Sequence, residues 1–260
     1  MEKIWKCLKS GLRDYCTNNG FKQVILGLSG GIDSGLTAVL SADTLGGKNV
    51  TAVMMKTQFT SELSLQIARE IVHLNQLNYM EIDIEPLVQN EITLLRQSLN
   101  TDLKGIVIEN LQARIRGQLL MAISNQTGGL VLACGNKSET YTGYCTLYGD
   151  TCGGLAPIGN LYKTTIFELA RWRNTVASAL PEEVIARAPS AELAIGQKDE
   201  NTLPSYDVLD KILLYYIDDH KTADEIIRLG FDTATVNYVI SLVERSIFKR
   251  KQMAQSIPIN

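Results

Sequence analysis

The segment Leu28-Ser29-Gly30-Gly31-Ile32-Asp33-Ser34 concentrates residue types that hold phosphate. It follows a short apolar run at residues 23–28 that reads as a strand, and it leads into a helical pattern over residues 34–45. Ser29, Gly30 and Gly31 let the backbone pass close to a bulky anion. The N-terminus of the following helix offers free amides and a partial positive charge. Ser29 and Ser34 add hydroxyl donors. Asp33 would repel a phosphate, and a hard Mg²⁺ shared between carboxylate and phosphate oxygens removes that conflict. The pattern is not GxxxxGK[ST], because no lysine follows the glycines, and it is not GxGxxG.

The remaining elements must position this loop. The chain opens on an amphipathic helix over residues 3–18, and residues 49–55 read as a second buried strand. Ser61 is placed to cap a helix running to residue 77, with Leu63, Ile67, Ile71 and Leu74 on one stripe. A third strand is expected at 79–84, a helix with Pro86 in its first turn, another helix at 109–125 and a fourth strand at 129–134. Continuous apolar strands alternating with helices predict an α/β fold, a doubly wound parallel sheet covered on both faces. Residues 135–163 are rich in glycine and tyrosine and read as a long functional loop. Helices are expected at 164–180 (stopped by Pro181), 205–219, 222–229 and 232–251, with an irregular stretch at 187–204. Residues 1–260 are expected to form a single domain with a helical C-terminal part.

Composition narrows the function classes. Of 260 residues, 45% are hydrophobic and 20% charged, which excludes a disordered chain or a coiled-coil rod. A net charge of −3 argues against a general nucleic-acid binder. No apolar run approaches the roughly 18 residues of a membrane span, and the first residues lack the apolar core of a signal peptide. A cytoplasmic protein with reduced thiols is expected, since its five cysteines include no CxxC pair. His73 and His220, both in helix-like stretches, give little material for a histidine metal site.

Several further motifs follow in order. Ser29 to Ser34 after an apolar strand is similar to the pyrophosphate-binding loop of the ATP pyrophosphatases. Asn110-Leu111-Gln112-Ala113-Arg114-Ile115-Arg116, Gly135-Asn136-Lys137-Ser138-Glu139, Thr146-Leu147-Tyr148-Gly149-Asp150, Pro189-Ser190-Ala191-Glu192-Leu193 and Phe248-Lys249-Arg250 resemble successive motifs of the NAD synthetases. The resemblance covers about residues 3–251, and it is nearer to the synthetase domain of the glutamine-dependent form than to the ammonia-dependent form. It implies a Rossmann-like sheet of the adenine nucleotide alpha hydrolase-like type. It also implies an ATP-dependent ligase of NAD biosynthesis. Such an enzyme adenylates the carboxylate of deamido-NAD (nicotinic acid adenine dinucleotide), lets ammonia displace AMP, and releases pyrophosphate.

The resemblance implies ATP contacts at Leu28, Ser29, Gly30, Gly31, Asp33, Ser34, Met55, Cys134, Lys163 and Ser190. It implies Mg²⁺ at Asp33 and Glu139, and catalytic roles for Asp33, Glu139 and Lys163. Deamido-NAD contacts are expected at Asn110, Arg114, Glu139, Tyr144, Asp150 and Lys249. Met55 is read as near adenine or simply core. Two departures stand out: Cys134 replaces a common threonine, and Leu147 stands where the ammonia-dependent form often has lysine. A nitrilase-like glutaminase has no room before residue 20, so the expected nitrogen source is ammonia, or a separate glutaminase chain. The family is typically a homodimer. Another ATP pyrophosphatase, such as a tRNA-modifying enzyme, is the competing reading; it calls for a catalytic cysteine pair and a basic face.

Overall fold

A computed structural model describes residues 1–187, 192–194, 199 and 202–259. Its central sheet has the order β3-β2-β1-β4, with every pairing parallel. The strands are β1 (Val24–Gly27), β2 (Val50–Lys56), β3 (Asn78–Asp83) and β4 (Leu130–Val131). Alternation along them divides the core in two. Val24, Leu26, Val50, Ala52 and Met54 join one cluster, while Ile25, Val53, Met55 and Val131 join the other.

Chain direction decides which helices cover which face. From β1 the chain passes through α2 (Ile32–Leu45) to β2, then through α3 (Glu62–Asn75) to β3. Both crossovers step the same way, so α2 and α3 share a face, joined there by α1 (Glu2–Asn18) and α7 (Lys163–Val176). After β3 the chain reverses across the sheet to β4. Its connecting helices α4 (Glu85–Leu99) and α5 (Gly105–Thr127) therefore cover the opposite face. The doubly wound architecture is thus present, and its direction reverses between β1 and β4. Fully burying side chains such as Leu26 and Leu36 contributes about 1.5–3 kcal/mol each.

Past β4 the expected long loop is organised. It contains α6 (Lys137–Thr142) and β5 (Leu155–Ala156), and β5 pairs in parallel with β6 (Gln255–Ser256). The helical part comprises α8 (Glu182–Ala186), α9 (Tyr206–Leu213), α10 (Ala223–Arg228), α11 (Thr233–Arg245) and α12 (Ile247–Arg250). From α9 onward it has its own core of Leu209, Ile212, Leu213, Ile226, Val236 and Val239.

Several expectations need correction. Leu63 is exposed and Leu74 only half-buried; the buried face of α3 is Ser64, Leu65, Ile67, Ala68 and Ile71. The Ser64 backbone lies against Gly30, so α3 turns Ser64 inward and the stripe away from Leu63. His220 is not helical: it takes φ of 55° in the turn before α10. The 205–219 helix finishes in a π-turn at Leu214–Asp218, and the 232–251 helix breaks at Ser246. Its hydroxyl, a donor to Tyr141 O at 2.7 Å, ties the break to α6. Ladder pairing of the fourth strand covers only Leu130 and Val131.

Candidate active site

In an open parallel sheet, ligands bind outside the carboxyl ends of the strands where chain direction reverses. Here that crevice lies between the loops following β1 and β4. The first loop is Leu28–Ser34, the second begins at Cys134, and the two are far apart in sequence.

The β1 loop shapes itself. Gly31 Nα donates to Ser29 Oγ at 3.2 Å, Ser34 Oγ donates to Gly31 O at 3.1 Å, and Ser29 Nα donates to Ser34 Oγ at 3.2 Å. Gly31 is the N-cap of α2 and no side chain caps that end, which leaves first-turn amides of the kind that can receive an anion. Gly30 has φ of +79°, and a Cβ there would lie 2.4 Å from Ser64 O. Only glycine combines that dihedral with so close a neighbour.

The β4 loop brings a carboxylate and the start of α7 brings an ammonium. Asn136 caps α6 by accepting from Glu139 Nα at 2.9 Å, while Glu139 Oε2 accepts from Asn136 Nα at 3.4 Å. Asn136 Nδ2 donates to Asp33 Oδ1 at 2.9 Å. Lys163 Nζ donates to Asp33 Oδ2 at 2.5 Å and to Glu139 Oε1 at 3.2 Å. The Lys163 side chain is 2% exposed, with its nitrogen 5.3 Å from the Tyr206 ring centroid. Burial alone would lower the Lys163 pKa, but Asp33 and Glu139 outweigh it and hold the ammonium charged. Burial raises the Glu139 carboxyl above the ordinary range; Lys163 opposes the rise and Asp33 adds to it. All three proposed catalytic residues are therefore brought together.

Apart from Glu139, the residues expected at deamido-NAD converge on the loop at 143–150 rather than on one open surface. Lys249 Nζ donates to Gly143 O and Cys145 O, each at 2.7 Å. Arg114 Nε donates to Leu147 O at 3.2 Å, and Thr146 donates its hydroxyl to Asn110 Oδ1 at 2.7 Å. Asp150 Oδ1 accepts from Thr146 Nα at 2.6 Å. Desolvation raises the Asp150 carboxyl to about 6, opposed by the backbone amides of Thr146 and Asp150 and by the Lys249 charge. Tyr144 packs against the C-terminal core, where burial, followed by Asp199, pushes its phenol up to about 12. A cavity of about 160 Å³ opens beside this loop, with Gly135, Glu139, Cys145, Asp150, Asn160 and Arg250 in its lining.

Met55 is core, packed between the sheet and α5, and its carbonyl accepts from Arg116 Nε at 3.1 Å. Cys134 sits between the two loops with Sγ 4.0 Å from Gly27 O, and burial pushes its thiol up to about 12. All five cysteines are free thiols. Ser190 lies outside the described residues. Sequence reasoning gave no role to Asn136 or to the Arg187–Glu192 pair behind the phosphate loop. Arg187 Nη1 donates to Ser64 Oγ at 2.7 Å, and Ser61 Oγ donates to Glu192 Oε1 at 2.9 Å. The Asn136 role was signalled by an Asn three residues before a Glu, the capping-box spacing; the Arg187–Glu192 pair had no comparable local signal.

Comparison with known proteins decides the family. A family profile described as NAD synthase matches residues 4–253. The chain belongs to the NAD synthase family. It is 48% identical to a glutamine-dependent NAD(+) synthetase of Xanthomonas campestris over 252 residues, 96% of this chain and 46% of that protein. A glutamine-dependent NAD+ synthetase of Acinetobacter baumannii, solved with ADP, superposes with a TM-score of 0.70 at 43% identity, over 96% of this chain and 45% of that one. The NH3-dependent NAD synthetase of Campylobacter jejuni superposes with a TM-score of 0.78 at 29% identity and 95% coverage of both chains. The chain thus spans about half the length of the curated relatives it matches. Among the described residues, no helix is long and apolar enough to cross a membrane.

Proposed function

We propose that this chain carries the ATP-dependent amidation of deamido-NAD to NAD, through an adenylated carboxylate, with release of AMP and pyrophosphate. The observation that carries this reading is the Asp33–Lys163–Glu139 cluster, set beside an uncapped helix N-terminus where the sheet reverses direction. In the proposed reaction the substrate carboxylate attacks the α-phosphorus of ATP and the α–β bridging oxygen leaves with pyrophosphate. Ammonia then attacks the acyl carbon, and AMP departs with the acyl oxygen. Adenylation is needed because a free carboxylate offers only an oxide as leaving group.

Each residue has a stated part. Amides at the start of α2, with Ser29 and Ser34, cradle the departing pyrophosphate. Lys163 neutralises phosphate charge, and Ser190 is assigned to the phosphates by its motif. Leu28, Gly30 and Gly31 supply backbone close to the phosphates and Cys134 lines the ATP side, while Met55 is left to the core. Asn110, Arg114, Tyr144, Asp150 and Lys249 shape the deamido-NAD side through the loop at 143–150. Positioning and charge neutralisation account for most of the catalysis in such a displacement.

Asp33 and Glu139 would hold Mg²⁺. Their fit rests on hard carboxylate oxygens that both face one ammonium. Among the described residues no group of three metal-ligating side chains exists, so such an ion would have to take its remaining ligands from phosphate oxygens and water. When bound, the ion supplies charge neutralisation to the phosphates.

Ammonia is the direct nitrogen donor in this reading. A second reading concerns its origin: relatives twice as long are named for glutamine. That favours a synthetase half supplied with ammonia by a glutaminase. We further assign residues 1–260 to one synthetase domain acting as a homodimer in the cytoplasm. The test is to incubate the protein with ATP and deamido-NAD, adding ammonium chloride or glutamine, and to follow AMP and NAD by mass. NAD with ammonium alone supports the proposal. AMP formation that does not depend on deamido-NAD, with no NAD under either condition, overturns it.

A further inference from the structure

Asp210 is a buried carboxylate in the apolar core of the C-terminal helices, 5% exposed, with Leu209, Ile212 and Leu213 as chain neighbours. Among the described residues it takes part in no salt bridge within 4.0 Å. Burial raises its pKa, opposed by hydrogen bonds from Ser138 and Thr164. A charge placed there is costly unless its hydrogen bonds do something an apolar side chain could not.

Those bonds run to the two helices that carry Glu139 and Lys163. Asp210 Oδ1 accepts from Ser138 Oγ at 2.5 Å, and Oδ2 accepts from Thr164 Nα at 2.8 Å. Ser138 Oγ in turn accepts from Lys163 Nα at 2.9 Å. Ser138 is next to Glu139 in the first turn of α6, and Thr164 is next to Lys163 in the first turn of α7. One carboxylate thus fastens the starts of both helices, alongside the direct Ser138–Lys163 and Lys163–Glu139 bonds between them. The two groups it holds in register meet at 3.2 Å.

We propose that Asp210 is a positioning residue for the reaction: through Ser138 and Thr164 it sets the spacing of Glu139 and Lys163. It never touches substrate. This inference rests on the synthetase reading above. Removing it should leave the nucleotide sites present but misplaced, and a misplacement of about 1 Å costs on the order of 100-fold in rate.

The test compares Asp210→Asn, Ser138→Ala and the double variant in the full chain. Two measurements are made: amide hydrogen exchange at Lys163 and Thr164, and steady-state kinetics with ATP, deamido-NAD and ammonium. The expected result is faster exchange at both amides in Asp210→Asn. Its kcat should fall about 10- to 100-fold while KM for each nucleotide stays within about threefold. The double variant should resemble the single ones, because both act through one linkage. Unchanged exchange at Lys163 and Thr164 would overturn the anchoring. A normal kcat with only a lowered Tm would overturn the positioning role and leave Asp210 as a folding residue. Should the wild-type chain form no NAD while exchange still accelerates in the variant, the synthetase reading fails and with it the positioning role, but the anchoring stands.

Discussion

Gly30→Ala tests the phosphate loop most directly. The new methyl would meet two separate penalties. The first is the left-handed backbone, φ +79°, which costs an L-residue about 1–2 kcal/mol. The second is steric: the Cβ would lie 2.4 Å from Ser64 O and 2.9 Å from Ser64 C and Cα. Ordinary contact begins near 3.4 Å, so loop and helix must part by about 1 Å. Helix α3 cannot yield easily. Ser64 is buried in its first turn, and Arg187 holds the Ser64 hydroxyl at 2.7 Å. The loop must therefore move, and with it the amides and hydroxyls around the pyrophosphate. A shift of about 1 Å in a positioning element costs on the order of 100-fold. Gly20→Ala supplies the control. Its φ of +75° is nearly the same, yet nothing lies within 4 Å of the added methyl. Both variants should lose about 1–2 kcal/mol in chemical denaturation from the dihedral, and Gly30→Ala should lose more. Only Gly30→Ala should lose kcat/KM for ATP, read as AMP release with deamido-NAD and ammonium. Equal activity and equal stability in the two variants would refute the close-approach argument.

Other expectations concern charge and nitrogen. Asp33→Asn and Glu139→Gln should each keep the circular dichroism of the wild type and lose at least ~100-fold in turnover, since each removes a fixed electrostatic partner of developing charge; near-normal rates in both would remove them from the mechanism. Asp43 accepts from Arg173 Nε at 2.7 Å, Arg173 Nη2 at 2.9 Å and Trp5 Nε1 at 3.0 Å. Burial raises its carboxyl, but Arg173 and Trp5 outweigh that and the net shift is downward. A lowered folded pKa means the stabilisation is present above the unfolded value near 4 and is lost as pH falls through the folded value. Asp43→Asn should therefore cost about 2 kcal/mol at neutral pH and much less in strong acid, as measured by urea melts across pH. A cost that does not change with pH would contradict the ion pair. With ammonium as donor, NAD formation should rise as pH approaches the ammonium pKa, because only neutral ammonia has the attacking lone pair. A flat profile at subsaturating ammonium would count against direct ammonia attack.

The site was readable wherever the chemistry was local in sequence. Ser29 to Ser34 after an apolar strand dictates a strand, a tight turn and a helix start, and the structure has them. Gly135 to Glu139 carries its own capping box. The strands were legible because Val24 to Leu26 and Val50 to Met54 are apolar on both faces, as a doubly covered sheet requires. What escaped was set by distant partners. The inward face of α3 depends on Ser64 meeting Gly30, and periodicity cannot supply that. The break at Ser246 depends on the carbonyl of Tyr141. Lys249, Arg114 and Asn110 look like free ligand-binding groups in the sequence, whereas here they bond to the loop at 143–150, which lies far from Lys249 and Arg114 along the chain.

The pairing of β4 with β1 has a dynamic consequence. It joins two residues on each strand, whereas β2 and β3 pair over six. That short seam also holds the loop of Asn136 and Glu139 against the loop of Asp33. Local opening of a protein starts where cooperative support is thinnest, well below the free energy of global unfolding. The proposed catalytic trio is therefore split across the shortest seam of the sheet, so gentle heating should separate Asp33 from Glu139 while the β1–β2–β3 body stays folded. A nucleotide spanning both loops would close the seam and stabilise it in proportion to its occupancy. Thermal inactivation should then precede the loss of helical signal, and ATP should narrow the gap between the two temperatures.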